Sequence, residues 1–259
     1  MRFLVIGDVI GRTGRRAVKE VLPSLKEKLN IDFVVLNGEN LAHGNGITKS
    51  TFEEILSVGV DVVTSGNHTY DKKEVFEIID DERILRPANL PPLAKGKGFN
   101  LYQKNGKNVA VINLMGRVFM GLPLDCPFRT FDSIHQIIKD KADYIIVDFH
   151  AEATSEKQAF GYYVDGKATL VFGTHTHVQT SDERFLPQNT AYISDVGLTG
   201  AYDSVIGVKK EQVIEKFITG MPIKYEPEEG RYIFQALFLD TQHNVLKRIQ
   251  IKEGEDYEL

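Results

Sequence analysis

The residues best equipped for chemistry fall into five short groups along the chain. Asp8 follows an apolar run. Asn37-Gly38-Glu39-Asn40, Gly66-Asn67-His68, Asp148-Phe149-His150 and Gly173-Thr174-His175-Thr176-His177 each follow another. Carboxylate, amide and imidazole are ligand types for Zn, Mn or Fe, and no thiolate stands among them. Four of the seven histidines belong to these groups: His68, His150, His175 and His177. Each residue alone has a plainer reading. Asp8 and Glu39 could favour the N-terminus of a following helix, Asn67 could be a turn residue, and any single histidine could be packed or solvated. Their recurrence after successive apolar runs favours one shared site. Seven oxygen and nitrogen donors are too many for one ion, whereas two ions about 3.5–4 Å apart with a bridging carboxylate use them efficiently. In an extended segment His175 and His177, two apart, would point the same way. Gly38, Gly66 and Gly173 precede candidate ligands, where glycine would let the backbone turn sharply.

Other polar residues carry less. His135 falls on a helical pattern and His243 in a turn, and neither is assigned a role; His43 sits in the loop Leu41-Ala42-His43-Gly44-Asn45-Gly46 and is unassigned. Gly7, Gly11 and Gly14 follow the first apolar run, but Val9 occupies the second glycine of a dinucleotide fingerprint, and Asp8 accounts for the same turn. Arg12, Arg15 and Arg16 form a basic helix start that is either solvated or meets an anionic partner. Cys126 is the only cysteine, so neither an intrachain disulfide nor a CxxC metal site can exist. That suits a reducing, cytoplasmic compartment.

The elements that must position these groups alternate. Arg2 to Ile6, Asp32 to Leu36 and Asp61 to Thr64 read as strands. Helices are expected over Arg12 to Leu29, Thr48 to Val58 with Thr48 as cap, and Asp71 to Asp80. Such alternation argues for parallel βαβ units. Phe99 to Gln103 and Asn108 to Leu114 flank Asn105-Gly106 and read as a hairpin. Residues 116–129 read mainly as a loop. Thr130 to Lys139 is helical, Tyr144 to Phe149 a strand, and Ser155 to Tyr162 a helix with Ser155 and Gln158 as a capping box. Ala168 to Phe172 and Ala191 to Ser194 are strands, Glu211 to Ile218 is a helix, and Arg231 to Asp240 with Asn244 to Lys252 is a closing antiparallel pair. In open α/β sheets, ligands bind beyond the carboxyl ends of strands, where all five groups fall. No repeat or linker interrupts the 259 residues, so a single domain over 1–259 is expected, α/β in class, with two mixed sheets covered by helices. The formal net charge of −5 argues against a nucleic-acid coat. No window of eighteen uncharged apolar residues indicates a membrane span.

The motif set Gly7-Asp8, Gly38-Glu39-Asn40, Gly66-Asn67-His68, His150 and Gly173-Thr174-His175-Thr176-His177 resembles, in order, the motifs of calcineurin-like metallophosphoesterases. Asp8-Val9-Ile10-Gly11, Gly66-Asn67-His68-Thr69-Tyr70-Asp71 and Arg86-Pro87-Ala88-Asn89 narrow the resemblance to the bacterial YmdB-type proteins, over nearly the whole chain. It implies a four-layer αββα sandwich and 2′,3′-cyclic-nucleotide 2′-phosphodiesterase activity yielding nucleoside 3′-phosphates. Activity on simpler phosphodiesters, a regulatory role in some bacteria and a homo-oligomer are implied as well. It further implies two metal ions, iron foremost, with manganese or zinc as alternatives. Asp8, Asn40 and His177 would hold one, Asn67, His150 and His175 the other, with Glu39 as bridge and His68 left as the catalytic group. Two departures stand out: Ile10 replaces the histidine of the usual Asp-x-His motif, and Glu39 the usual bridging aspartate.

The chemistry then expected is hydrolysis by a hydroxide formed between two metal ions, with His68 protonating the leaving oxygen. The substrate would be a small phosphodiester or cyclic nucleotide; RNA is not indicated by the charge. Two rival readings are a metal-dependent hydrolase of another bond class and a regulatory metal- or nucleic-acid-binding protein with residual activity.

Overall fold

The computed structural model describes residues 1–255. The chain begins with β1 (Arg2–Ile6), β2 (Asp8–Val9), α1 (Gly11–Leu29), β3 (Phe33–Asn37), α2 (Lys49–Ser57), β4 (Val62–Thr64) and β5 (Ile84–Leu85). It continues through β6 (Phe99–Lys104), β7 (Lys107–Met115), α3 (Pro127–Ile138), β8 (Tyr144–His150), α4 (Thr154–Tyr163) and β9 (Leu170–Thr174). It ends with β10 (Arg184–Phe185), β11 (Ala191–Ile193), β12 (Leu198–Ala201), α5 (Lys210–Thr219), β13 (Tyr232–Asp240) and β14 (Val245–Lys252).

The expected four-layer αββα sandwich with two mixed sheets is present. One sheet runs β2-β12-β13-β1-β3-β4-β5, with β14 on the other side of β13; the second runs β10-β11-β9-β8-β7-β6. β1, β3, β4 and β5 pair in parallel, as do β7, β8, β9 and β11. Strands buried on both faces explain the unbroken apolar runs. Phe3 and Val5 of β1 face the cluster between the sheets, with Phe33, Val111 and Phe172, while Leu4 and Ile6 face the cluster that packs α1 and α2. A third cluster packs α3 and α4 on the second sheet. Among the described residues no helix is long and apolar enough to cross a membrane.

Local signals read from sequence recur where they act alone. Thr48 and Thr51 form the capping box of α2. Asn105 and Gly106 both take positive φ, +50° and +73°, as a two-residue hairpin turn demands. Other expectations are corrected. The segment expected as a helix over Asp71 to Asp80 makes only a 3-10 turn, Lys73–Glu77, since only Val75 of that turn is buried. α4 starts after Ala153 without a side-chain cap, so the Ser155–Gln158 box does not form. α3 begins at Pro127, whose fixed φ suits a first helical position, rather than at Thr130.

α4 also sends Lys157 inward. Its ammonium is buried against Asp195 at 2.7 Å and donates to the Thr174 carbonyl at 2.9 Å. Asp195 in turn accepts from the Thr176 amide and hydroxyl and the Gly197 amide. This buried pair ties α4, the segment after β9 and the segment after β11 together. Breaking such a pair leaves an uncompensated charge. Asp195→Ala is therefore expected to cost about 3–5 kcal/mol in urea unfolding. A loss under about 1 kcal/mol would show that Lys157 finds water instead.

Candidate metal centre

One rim gathers the candidate residues. Asp8 lies in β2, Glu39 and Asn40 just past β3, Asn67 and His68 past β4, His150 at the end of β8, and His175 and His177 past β9. Ligand atoms of Glu39, His150 and His175 all lie within 4.8 Å of one another, and so do those of Asp8, Glu39 and His177. Glu39 belongs to both groups. Asn67 Oδ1 lies 3.0 Å from His150 Nε2.

Beneath this rim the apolar core between the sheets gives way to a polar layer. Asn37, Thr64 and Thr174 all donate to the buried Asp148 carboxylate, at 3.0, 2.5 and 2.7 Å. Burial nevertheless pushes Asp148 up to about 7. Thr174 gives its proton to Asp148, so its oxygen accepts from His150 Nδ1 at 2.9 Å. That bond fixes His150 with a free lone pair on Nε2. His175 is set the same way from its other side: Nε2 lies 3.1 Å from Glu152, leaving Nδ1 free beside His150 Nε2 at 3.1 Å. His177 Nδ1 donates to the Ile206 carbonyl at 2.9 Å, and Nε2 faces Asp8 Oδ1 at 3.8 Å. Three imidazoles thus turn lone pairs toward two carboxylates.

Burial keeps these rings neutral. It lowers His150 well below its ordinary range, His175 to about 4, and His177 likewise downward. It also raises the carboxylates, Asp8 to about 8, with the charge of Asp195 adding to it, and Glu39 well above its usual range, with the charge of Asp8 adding to it. Backbone amides give partial relief: His175 N donates to Asp8 Oδ2 and His68 N to Glu39 Oε2, each at 3.1 Å. Among the described residues, the buried atoms Asp8 Oδ1 and Asn40 Oδ1 have no hydrogen-bond partner. Unsatisfied buried acceptors and neutral imidazole lone pairs around shared carboxylates are what metal cations satisfy. The residues present fit a metal centre.

Two sequence expectations change here. β9 ends at Thr174, and His175 and His177 take φ of +97° and +62°, so the segment is not extended. The two rings diverge, one into each ligand group. The glycines serve by their lack of a side chain rather than by turning, since Gly38, Gly66 and Gly173 do not adopt positive φ. A β-carbon on Gly66 would overlap His150 Nε2 and Glu39 Oε2, and one on Gly173 would overlap the Ser194 carbonyl.

His68 stands apart from the ligands, with 36% of its side chain exposed. Its Nδ1 lies 2.7 Å from Asp71, which also accepts from Asn45. Sequence reasoning gave no role to Asp71 and Thr174, although both stand inside the motifs quoted above, nor to Glu152, Lys157 and the Ile206 carbonyl, which have no local signal. His135 stacks on Phe131 and His243 pairs with Asp240, both outside the site. Cys126 is the residue before α3 and half-buried.

A family model described as YmdB-like protein matches residues 4–253. A Bacillus subtilis (strain 168) protein named 2′,3′-cyclic-nucleotide 2′-phosphodiesterase is 47% identical, the match covering 97% of this chain and 96% of that one. A crystal structure of a hypothetical protein from Thermus thermophilus superposes with a TM-score of 0.93 at 41% identity, covering 98% of this chain and 100% of that one. The structure of a novel phosphatase from Mycoplasma pneumoniae gives 0.90 at 35% identity, covering 97% and 93%.

The shifts set a pH dependence. Histidines with lowered pKa stabilise the fold above about 6.5 and lose that contribution as pH falls. Carboxylates with raised pKa contribute stability below their ordinary value and lose it as pH rises toward about 8 for Asp8 and about 7 for Asp148. Between about pH 6.5 and 8 only the carboxylate effect remains. Chelated protein should therefore lose melting temperature across that window, and protein loaded with divalent metal should not. A flat or rising profile for the chelated protein would count against these buried carboxylates.

Proposed function

The chain belongs to the YmdB-like protein family, and on that basis we propose that it is a dinuclear metallophosphodiesterase opening 2′,3′-cyclic nucleotides to nucleoside 3′-phosphates. The observation that carries the reading is Glu39, whose carboxylate belongs at once to the His150–His175 and the Asp8–His177 groups. The phosphodiesterase and phosphatase among its relatives support phosphoester hydrolysis as the reaction class.

In this reading Asp8, Asn40 and His177 would hold one ion and Asn67, His150 and His175 the other, with Glu39 shared between the two sets. The orphaned Oδ1 atoms of Asp8 and Asn40 support the first set, in which Asn40 takes over from the histidine that Ile10 replaces. The oxygen and nitrogen donors suit iron, manganese or zinc. Bound ions would activate water as the nucleophile and offset phosphate charge. His68 does the proton work. Asp71 accepts from its Nδ1–H, which fixes the ring and leaves Nε2 to face a leaving oxygen that needs a proton. The whole of 1–259 acts as one unit, in the cytoplasm. Ile214, Phe217 and Ile218, exposed together on α5, give an apolar face for the expected homo-oligomer.

Glu39→Ala should lower metal content by elemental analysis and abolish turnover; full occupancy of two metals in that variant would remove the bridge. His68→Ala should keep its metals yet lose about two to four orders of magnitude in kcat on 2′,3′-cyclic nucleotides. The loss should shrink on a nitrophenyl diester, whose leaving group needs no proton. Equal impairment on both substrates would show that His68 is not the acid.

A further inference from the structure

The metal centre opens into a cavity of about 350 Å³. Asn40, His68 and His177 border it, and Ile206, Val208, Tyr225 and Pro227 form further walls. No proposed step of hydrolysis uses the side chains of those walls. We infer that the cavity is the nucleoside subsite, with Tyr225 as the surface on which the base lies. The inference rests on the cyclic-nucleotide reading above.

The first argument is connectivity. In a 2′,3′-cyclic nucleotide the leaving 2′ oxygen and the retained 3′ oxygen belong to one ribose. The ribose must lie wherever the leaving oxygen meets its proton donor. His68 borders this cavity, so sugar and base extend into it.

The second argument is the setting of Tyr225. The ring is half-buried, and the Lys216 ammonium stands 4.8 Å from its centroid. Lys216 borders a neighbouring cavity and not this one, whereas Lys224 borders both. Tyr225 borders this cavity and not the neighbouring one, so its ring offers this cavity a surface for a second aromatic system.

The third argument is strain. Ile206 has φ of +49°, a costly conformation for a β-branched residue. Its carbonyl orients His177, while its side chain, 48% exposed, forms part of the cavity wall. An apolar side chain held in that conformation beside a polar centre leaves a surface suited to the face of a sugar or base. Recognition by stacking discriminates little among bases, so purines and pyrimidines should both enter.

The test is a calorimetric titration of metal-loaded protein with adenosine 3′-phosphate and, separately, with inorganic phosphate. Wild type should bind the nucleotide more tightly than phosphate. Tyr225→Ala should weaken the nucleotide roughly tenfold, within the range of one lost stacking partner, and leave phosphate unchanged. Tyr225→Phe should bind both as wild type does. Equal wild-type affinity for the two ligands, or an equal loss of both in Tyr225→Ala, would overturn the subsite. Turnover separates the two readings. Wild type that cleaves a nitrophenyl diester but no 2′,3′-cyclic nucleotide would overturn the substrate assignment, whereas the titration decides the subsite by itself.

Discussion

Two carboxylates, Asp8 and Glu39, are buried side by side at the rim where the two sheets meet, and among the described residues neither pairs with a lysine or arginine. Taking carboxylates out of water is costly, and the cost appears as the raised pKa of both groups, with the charge of Asp195 adding to it at Asp8 and that of Asp8 at Glu39. The surroundings answer with neutral donors. Two backbone amides each satisfy one oxygen, and three imidazoles held neutral bring lone pairs rather than charge. Everything else at this end of the molecule can be understood as keeping that balance.

The sandwich makes the balance geometrically possible. Its inner cluster is apolar over most of its depth, yet Asn37, Thr64, Asn113, Asp148 and Thr174 replace it near the carboxyl ends of the strands. Each of these residues is hydrogen-bonded across or within the layer, with Asn113 reaching the Ser65 and Leu85 carbonyls. The layer closes the apolar core and passes its order to His150 through Thr174. Three non-glycine residues with positive φ, His175, His177 and Ile206, lie just above it. Residues in such conformations persist when neighbours hold them there, and the Lys157–Asp195 pair under the His175–His177 segment does so.

A gradient of exposure separates the tasks. Glu39 is 1% exposed, His175 and His177 are partly buried, and His68 has over a third of its side chain in solvent. Metal-type ligands need exclusion of water and fixed tautomers. A proton donor needs access to substrate and a partner that steers it, which Asp71 supplies. The apolar cavity begins where this gradient reaches the surface.

Elements whose signals are local or periodic were legible without the fold. The apolar runs became the central strands, the stripe Ala17, Val21 and Leu25 became the buried face of α1, and Thr48 and Asn105-Gly106 acted as caps and turns do. The ligand types were legible too, because strand ends in such a sheet converge and the residues there must face one another. How those residues divide was settled by packing. Whether His175 and His177 share a side depends on two positive φ values held by α4 and by the segments after β11 and β12, not on their spacing. Gly66 matters because His150 and Glu39, far apart in sequence, occupy the space a side chain would need. The tautomer of each ring depends on Thr174, Glu152 or the Ile206 carbonyl, and each of these lies far along the chain from the ring it orients. Short strands such as β2, β5, β10 and β12, two to four residues long, leave no period to detect and exist because a neighbouring strand offers hydrogen bonds. Patterns over a few residues can specify a helix or a strand, but the direction of a buried polar atom is set by whichever distant group satisfies it.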